Sequence, residues 1–206
     1  VCSSDLDTRY AAVDNNYTAD DVFNAFLSAC KKIHDAKKEI CVDSASNKII
    51  NQDILTVTSS DFNKSVGLAI TSPPYPNAYE YWLYHKYRMW WLGFDPIQVR
   101  TFEIGARPHY QKKNGQTEED FKTQMNRVFS LLSDVLISGG HVCFVVGRSV
   151  IKWKVINNAE LICNIASEHG MVCVANIERE IASTKKSFNL KYGKIKTENI
   201  LVFRKD

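Results

Sequence analysis

The stretch Gly67-Leu68-Ala69-Ile70-Thr71-Ser72-Pro73-Pro74-Tyr75 decides the fold. It opens on a short apolar run, too short for a helix, and breaks into a rigid polar turn. A run of that kind is characteristic of a buried strand in a parallel sheet. In an open α/β sheet, ligands bind outside the carboxyl ends of the strands. A strand here therefore places Ser72–Tyr75 at the binding edge. Consecutive prolines fix φ and carry no backbone N–H, so their carbonyls act only as acceptors from a stiff turn. Such a turn suits an –NH2 group, which needs acceptors. Ser72 adds a hydroxyl, and Tyr75 adds a flat ring that can stack on a planar base. By itself Pro-Pro-Tyr is also compatible with an ordinary turn or a partner-binding peptide, so its neighbours matter.

Upstream, the run KIINQD (48–53) reads as a second buried strand lying beside the first, with Asp53 at its end. Asp suits a turn or helix cap equally well at such a place. Further upstream, Thr18 and Asp21 have capping-box spacing ahead of Val22, Phe23, Phe26, Leu27, Cys30 and Ile33. That apolar stripe at helical spacing predicts a helix covering a sheet.

Downstream, the aromatic segment YEYWLYHKYRMWWLGF (79–94) puts Tyr79, Trp82, Leu83, Tyr87, Trp90 and Trp91 largely on one helical face, a pattern that predicts core packing. The basic loop GARPHYQKKNGQ (105–116) follows. Thr117 and Asp120 then open a long helix with the stripe Phe121, Met125, Val128, Phe129, Leu132, Val135 and Leu136, and Ser138-Gly139-Gly140 should end it. HVCFVVG (141–147) reads as a central strand, 155–169 as a helix, and MVCVANIERE (171–180) and ENILVFRK (198–205) as two last strands joined by a basic loop. Alternation of strand and helix predicts an α/β sheet, and the final pair predicts an antiparallel hairpin at one edge. The sequence contains no internal repeat.

The chain has 206 residues, 45% hydrophobic and 24% charged, an ordinary globular balance that argues against disorder and supports one domain with a sizeable core. No run approaches the roughly 20 apolar residues of a membrane-spanning helix, and the start lacks the layout of a signal peptide. Cys2, Cys30, Cys41, Cys143, Cys163 and Cys173 form no Cys-x-x-Cys pair, and three lie inside apolar runs. This pattern predicts reduced thiols in a cytoplasmic protein and no zinc site. No Walker-type glycine-lysine loop is present, which leaves nucleotide hydrolysis unsupported. Net charge is only +3, but it is unevenly spread. Arg179, Lys185, Lys186, Lys191, Lys194, Lys196, Arg204 and Lys205 face only Glu180, Glu198 and Asp206 near the carboxyl end. A second basic group comprises His85, Lys86, Arg88, Arg100, Arg107, His109, Lys112 and Lys113. Such patches suit a polyanion, although a solvated face has the same composition. Val1–Leu6 (VCSSDL) looks like the translated end of a sequencing adaptor, which would put the natural start further upstream; a genuine hexapeptide is the alternative.

The segment AITSPPYPNAYEYW (69–82) resembles the catalytic motif of S-adenosylmethionine-dependent amino-methyltransferases. It is most similar to the DNA N4-cytosine and N6-adenine methyltransferases, whose motif is Ser/Asp/Asn-Pro-Pro-Tyr/Trp. The serine form leans toward N4-cytosine. The Ser-Gly-Gly-His strand resembles that family's fifth strand, and SFN with KIKTENILVFRK resembles its closing hairpin, so the likeness covers about Lys48 to Lys205. It implies a Rossmann-like class I methyltransferase sheet with an antiparallel closing hairpin, lacking its first two strands. The family's Phe-x-Gly-x-Gly cofactor loop is absent from this sequence, as is the acidic residue for the ribose. The implied organisation is one incomplete catalytic domain with a DNA-contacting insertion at 76–116. The missing half would lie before Val1, or after the hairpin in members with the reverse motif order.

The same resemblance implies a catalytic set of Ser72, Pro73, Pro74 and Tyr75. Ser72 Oγ and the Pro73 carbonyl accept from the target amino group, Pro74 stiffens the turn, and Tyr75 stacks on the base. Asp53 would accept from the adenine amino group of the cofactor, S-adenosyl-L-methionine. Asn77, Tyr79, Arg107, His109, Lys112, Lys113, Arg148, Lys185, Lys186 and Asn189 would contact DNA, the basic ones through phosphates, which position DNA without reading its sequence. Implied partners are DNA and, in a restriction-modification pair, a cognate restriction endonuclease, with neither a membrane nor a metal. The target base would be flipped out of the duplex before transfer. Two alternatives remain open: an amino-methyltransferase acting on RNA or on protein glutamine, where Asn usually replaces Ser72, and an inactive DNA-binding remnant of the fold.

Overall fold

A computed structural model describes residues 17–39, 48–63, 65–77, 80–180 and 197–206. Tyr79, Lys185, Lys186, Asn189 and the VCSSDL start lie outside the described residues. The chain divides into two units, Val1–Asn51 and Gln52–Asp206.

The first unit contains α1 (Ala19–Glu39). Thr18 and Asp21 form the anticipated box: Thr18 N and Oγ1 donate to Asp21 Oδ2 at 2.8 and 2.7 Å, and Asp21 N donates back to Thr18 Oγ1 at 3.2 Å. These bonds hold the Asp21 carboxyl below its usual pKa. Lys37 and Lys38 in the last turn suit the negative end of the helix dipole. The stripe Val22, Phe23, Phe26, Leu27 and Ile33 is exposed.

In KIINQD the anticipated strand is absent, and Asp53 does not end one. Asp53 instead organises a turn. Its Oδ1 accepts from Leu55 N at 2.9 Å, and its carbonyl accepts from Thr56 N and Val57 N at 2.8 and 3.2 Å. Local side-chain bonds of this kind compete with ladder formation. A single turn of 3-10 helix follows at Ser59–Asp61.

The second unit is built on a four-stranded sheet. Its strands are β1 (Val66–Thr71), β2 (Leu136–Gly147), β5 (Met171–Glu180) and β6 (Thr197–Lys205), in the order β1-β2-β6-β5. β1 runs parallel to β2, with Thr71 opposite Phe144. β6 is antiparallel to both neighbours, with Leu201 opposite Phe144 on one side and Asn176 on the other. The fold is thus a mixed α/β sheet with an antiparallel closing pair, as anticipated. Among the described residues the last strand lies inside the sheet, and β1 and β5 form its two edges.

Two helices cover one face, α6 (Glu118–Val135) and α7 (Asn158–Glu168). Phe121, Met125 and Phe129 from α6 and Ile162 and Ile165 from α7 close over Val142, Phe144, Val146, Leu201 and Phe203. Phe129 meets Phe144 and Phe203 edge-on at centroid distances of 5.3 and 5.8 Å. Each such pair adds about 0.5–1.5 kcal/mol beyond the area it buries. The opposite face carries Leu68, Ile70 and Ile177, which are exposed. β1 was anticipated as a buried strand. Among the described residues it has a neighbour on one side only, and Ile70 is 72% exposed.

Three local expectations are corrected. First, α6 does not run to Ser138-Gly139-Gly140. It ends at Val135, and β2 begins at once. Lys205 Nζ caps that junction by donating to the carbonyls of Ser133 and Leu136 at 2.5 and 2.7 Å. Gly140 lies inside the strand, where a Cβ would stand 3.3 Å from the Gly67 carbonyl. Second, residues 149–156 form a hairpin, β3 (Ser149–Ile151) and β4 (Lys154–Ile156), so α7 starts later than its periodicity predicts. Third, the aromatic segment is no single helix. It breaks into α2 (Tyr81–Tyr84) and α3 (Lys86–Trp91), followed by α4 (Pro96–Phe102) and α5 (Arg107–Gln111). The break between α2 and α3 falls at His85, while Gly93 at φ 80° and Pro96 separate α3 from α4, and Trp90 and Trp91 are exposed instead of buried. No described helix is long and apolar enough to cross a membrane.

Candidate active site

Ser72 follows β1 directly, so the sheet itself aims the turn. Ser72 Oγ donates to the Val145 carbonyl of β2 at 3.1 Å. A hydroxyl has one proton and two lone pairs. With that proton directed to the Val145 carbonyl or the neighbouring Tyr75 oxygen, Ser72 Oγ has its lone pairs to offer a ligand. Pro73 is buried, whereas Ser72 is exposed.

The Tyr75 ring lies against Gly147 at the end of β2. A Cβ there would stand 2.9 Å from Tyr75 Cε2, so only glycine leaves room for the ring. The Tyr75 hydroxyl reaches the Val145 carbonyl and Glu198 Oε2, both at 3.4 Å. Glu198 is held in turn by Arg179, whose Nε lies 2.6 Å from Oε1. Burial, reinforced by the Glu198 carboxylate and partly offset by the Ser72 hydroxyl, pushes the Tyr75 phenol up to about 12.

The turn is closed from below by Asn77 in the left-handed region at φ 59°. Asn77 N donates to the Gly105 carbonyl at 2.8 Å, and Nδ2 donates to the Val150 carbonyl at 2.5 Å. Gly105 itself sits at φ 78°, with Pro76 Cα 3.2 Å from where a Cβ would be. Glu103, next in line, accepts from Tyr81 N and Trp82 N at 2.8 and 2.7 Å and so anchors α2. Burial raises its pKa, and the neighbouring Glu80 adds to the effect.

These elements enclose a hollow of about 320 Å³ lined by Asp53, Ile54, Ser72, Pro74, Tyr81, Phe102, Glu103 and Ile104. Its polar lining is two carboxylates and two hydroxyls, with no cation. Most of the lining surface is apolar, from Ile54, Pro74, Phe102 and Ile104, so the hollow suits a flat or apolar group with few polar contacts. Another cleft, of about 360 Å³, lies between the starts of α6 and α7 and contains no residue of the Ser72–Tyr75 turn.

The structure therefore brings Asp53, Ser72 and Pro74 to one hollow, with Tyr75 beside it. Asn77 is engaged in holding the turn. His109 Nε2 donates to the Arg100 carbonyl at 2.9 Å, and Arg107 lies 3.9 Å from Glu80, so both have partners within the loop. Lys112, Lys113 and Arg148 are exposed. Sequence reasoning missed Gly147, Glu198, Arg179 and Glu103. Gly147 was foreshadowed by a glycine ending a buried strand. Nothing in the spacing marks Glu198, which lies 123 residues from Tyr75.

No family model and no curated protein matches the chain. Matching solved structures include a protein of Thermus thermophilus provisionally named a DNA modification methylase. It is 22% identical, with 74% of this chain and 50% of that one covered and a TM-score of 0.43. In complex with S-adenosyl-L-methionine the same protein gives 21% identity, coverage of 74% and 53%, and a TM-score of 0.45. The M1.HpyAVI–SAM complex gives 15% identity, coverage of 77% and 53%, and a TM-score of 0.40. The chain spans about half the length of these solved structures.

Proposed function

We propose that this chain is the catalytic part of an S-adenosylmethionine-dependent methyltransferase that modifies the exocyclic amino group of cytosine (N4) or adenine (N6) in DNA. The observation that carries this is Ser72: an exposed hydroxyl at a strand end, donating to Val145, at the rim of a mainly apolar hollow that also holds Asp53. An amino nitrogen can act as a nucleophile only while its lone pair is free, so its N–H groups must meet acceptors. Ser72 Oγ is such an acceptor, and Pro73 and Pro74 stiffen the turn that carries it. Tyr75, half-buried against Gly147, is the ring assigned to stack on the base. Holding the reacting atoms at contact distance is the main catalytic contribution available here.

S-adenosyl-L-methionine, when bound, supplies a methyl group on a positively charged sulfur. Asp53 fits the amino group of that cofactor, because its Oδ1 is taken by Leu55 N and Oδ2 can accept. Lys112, Lys113 and Arg148, which are exposed, would contact phosphates.

Tritiated methyl transfer by the intact gene product, with nucleoside analysis of the product, tests this reading. Label is expected in N4-methylcytosine or N6-methyladenine. Ser72→Ala should reduce kcat about 10²-fold, in the range of a lost transition-state hydrogen-bond partner. Label in RNA or in protein glutamine instead would replace DNA as the substrate. Unchanged transfer after Ser72→Ala combined with Tyr75→Ala would remove the site assignment.

A further inference from the structure

Two of the free cysteines are brought together by the reversal that joins α7 to β5. Cys163 lies on α7 beside the buried Ile162, half-buried and packed on the main core. Gly170, at φ 71°, turns the chain, and β5 returns along the helix. Cys173 stands two positions after the buried Met171 and directly opposite the buried Phe203 of β6. Side chains two apart on a strand share a face, as do those directly opposite in an antiparallel pair. Cys173 therefore points to the side of the sheet that α7 covers. Its thiol is a hydrogen-bonding neighbour of the Cys163 thiol. Cys143, the remaining described cysteine of the second unit, alternates with the buried Val142 and Phe144 and so faces the opposite side.

The two thiols are not equivalent. Among the described residues β5 has a strand neighbour on one side only, and its ladder is irregular between Cys173 and Ala175. Cys173 is exposed there, with its Sγ donating to the Ala175 carbonyl at 3.4 Å. Burial, reinforced by the neighbouring Cys173, raises the Cys163 pKa and keeps the proton on that sulfur. An accessible thiol with a protonated one in reach is the arrangement in which one sulfur attacks an oxidant and the other resolves the product.

We propose that Cys163 and Cys173 form an oxidisable dithiol, a modification site at which a small disulfide such as oxidised glutathione converts the pair to an internal disulfide. The Cys173 thiolate attacks one sulfur of the oxidant, which forms a mixed disulfide and releases one glutathione thiolate. Cys163 then gives its proton to solvent, and its sulfur attacks Cys173 Sγ, which forms the internal bond and releases the second glutathione. Two cysteine thiols are oxidised, and one glutathione disulfide is reduced to two thiols. The site stands independently of methyl transfer.

The test adds oxidised glutathione to the purified chain at about pH 8, close to the ordinary thiol pKa. Residues 155–179 form one tryptic peptide that carries both cysteines and no other. Digested without reduction, that peptide should be lighter by two hydrogens in mass spectrometry. The bond should close at least about tenfold faster in the folded chain than in urea, because the fold holds the sulfurs together. Cys163→Ser should leave one glutathione on Cys173. In Cys173→Ser, glutathione uptake at Cys163 should fall roughly tenfold, because the remaining thiol is partly buried and protonated. A lasting glutathione adduct on Cys173 of the native chain, with no internal bond, would overturn the proposal. So would equal closure rates in buffer and in urea, a readout that needs no variant. Uptake at Cys163 undiminished in Cys173→Ser would overturn the order of attack.

Discussion

At the residue scale, the centre of the molecule is the Tyr75 hydroxyl, placed where Val145, Ser72 and Glu198 converge. Glu198 touches no part of the hollow, so its contribution is to position Tyr75, and Arg179 steadies Glu198 from behind. Tyr75→Phe and Glu198→Gln should each lower kcat about tenfold, the size of one hydrogen bond to a charged group, with KM for cofactor little changed. The double variant should lose no more than either single one, because both remove the same contact. Additive losses in steady-state kinetics would show that the two residues act separately. The pH dependence has a definite sign. The folded phenol stands at about 12, above the unfolded value of about 10. Its contribution to stability is therefore full below about pH 10 and is lost as pH rises toward the folded value. Denaturant melts of native protein and Tyr75→Phe should converge across that window and stay parallel below it.

At the scale of elements, helix starts are secured by local bonds that can be tested one at a time. In α6, Thr117 N and Oγ1 donate to Asp120 Oδ2 at 2.7 and 2.9 Å, and the buried stripe of the same helix brings Phe121, Met125 and Phe129 to the main core. Thr117→Ala should lower stability by about 1 kcal/mol, the usual worth of an N-cap, with a matching fall in Tm and no change in the circular dichroism of the folded state. The two capping boxes and the stripe of α6 were legible in the sequence because their partners are three or four residues apart. The end of α6 was not. Lys205, from the far end of the chain, caps the junction, and Gly140 serves strand contact instead of helix termination. The Lys152-Trp153 turn was invisible for a related reason. It lacks the Asn-Gly or Gly-containing pair that marks such hairpins, and the strands beneath it, not the turn itself, are held by Asn77, Glu118 and Asn158.

At the scale of the second unit, one face of the sheet is a dense aromatic core and the other presents Leu68, Ile70 and Ile177 to solvent. An apolar edge strand is a template for unwanted pairing. Ile70→Lys should reduce concentration-dependent light scattering of the purified chain while leaving its Tm within about 1 °C, since a side chain 72% exposed gives little packing energy to lose. A large fall in Tm would mean that Ile70 is covered in solution.

The sequence by itself determined the strand ending at Ser72, the rigid acceptor turn, both capped long helices and the antiparallel closing pair. Each of these is written in adjacent or periodic residues, and local sterics and hydrophobic spacing suffice to produce it. Tertiary structure alone decided the rest. It put Glu198 beside Tyr75, set Gly147 under the ring and brought Asp53 to the hollow from a turn instead of a strand. It also left the aromatic segment as short helices with exposed tryptophans. These outcomes depend on which strands pair and which groups meet across the sheet, and local spacing along the chain does not encode such contacts, the Tyr75–Glu198 one least of all at 123 positions apart.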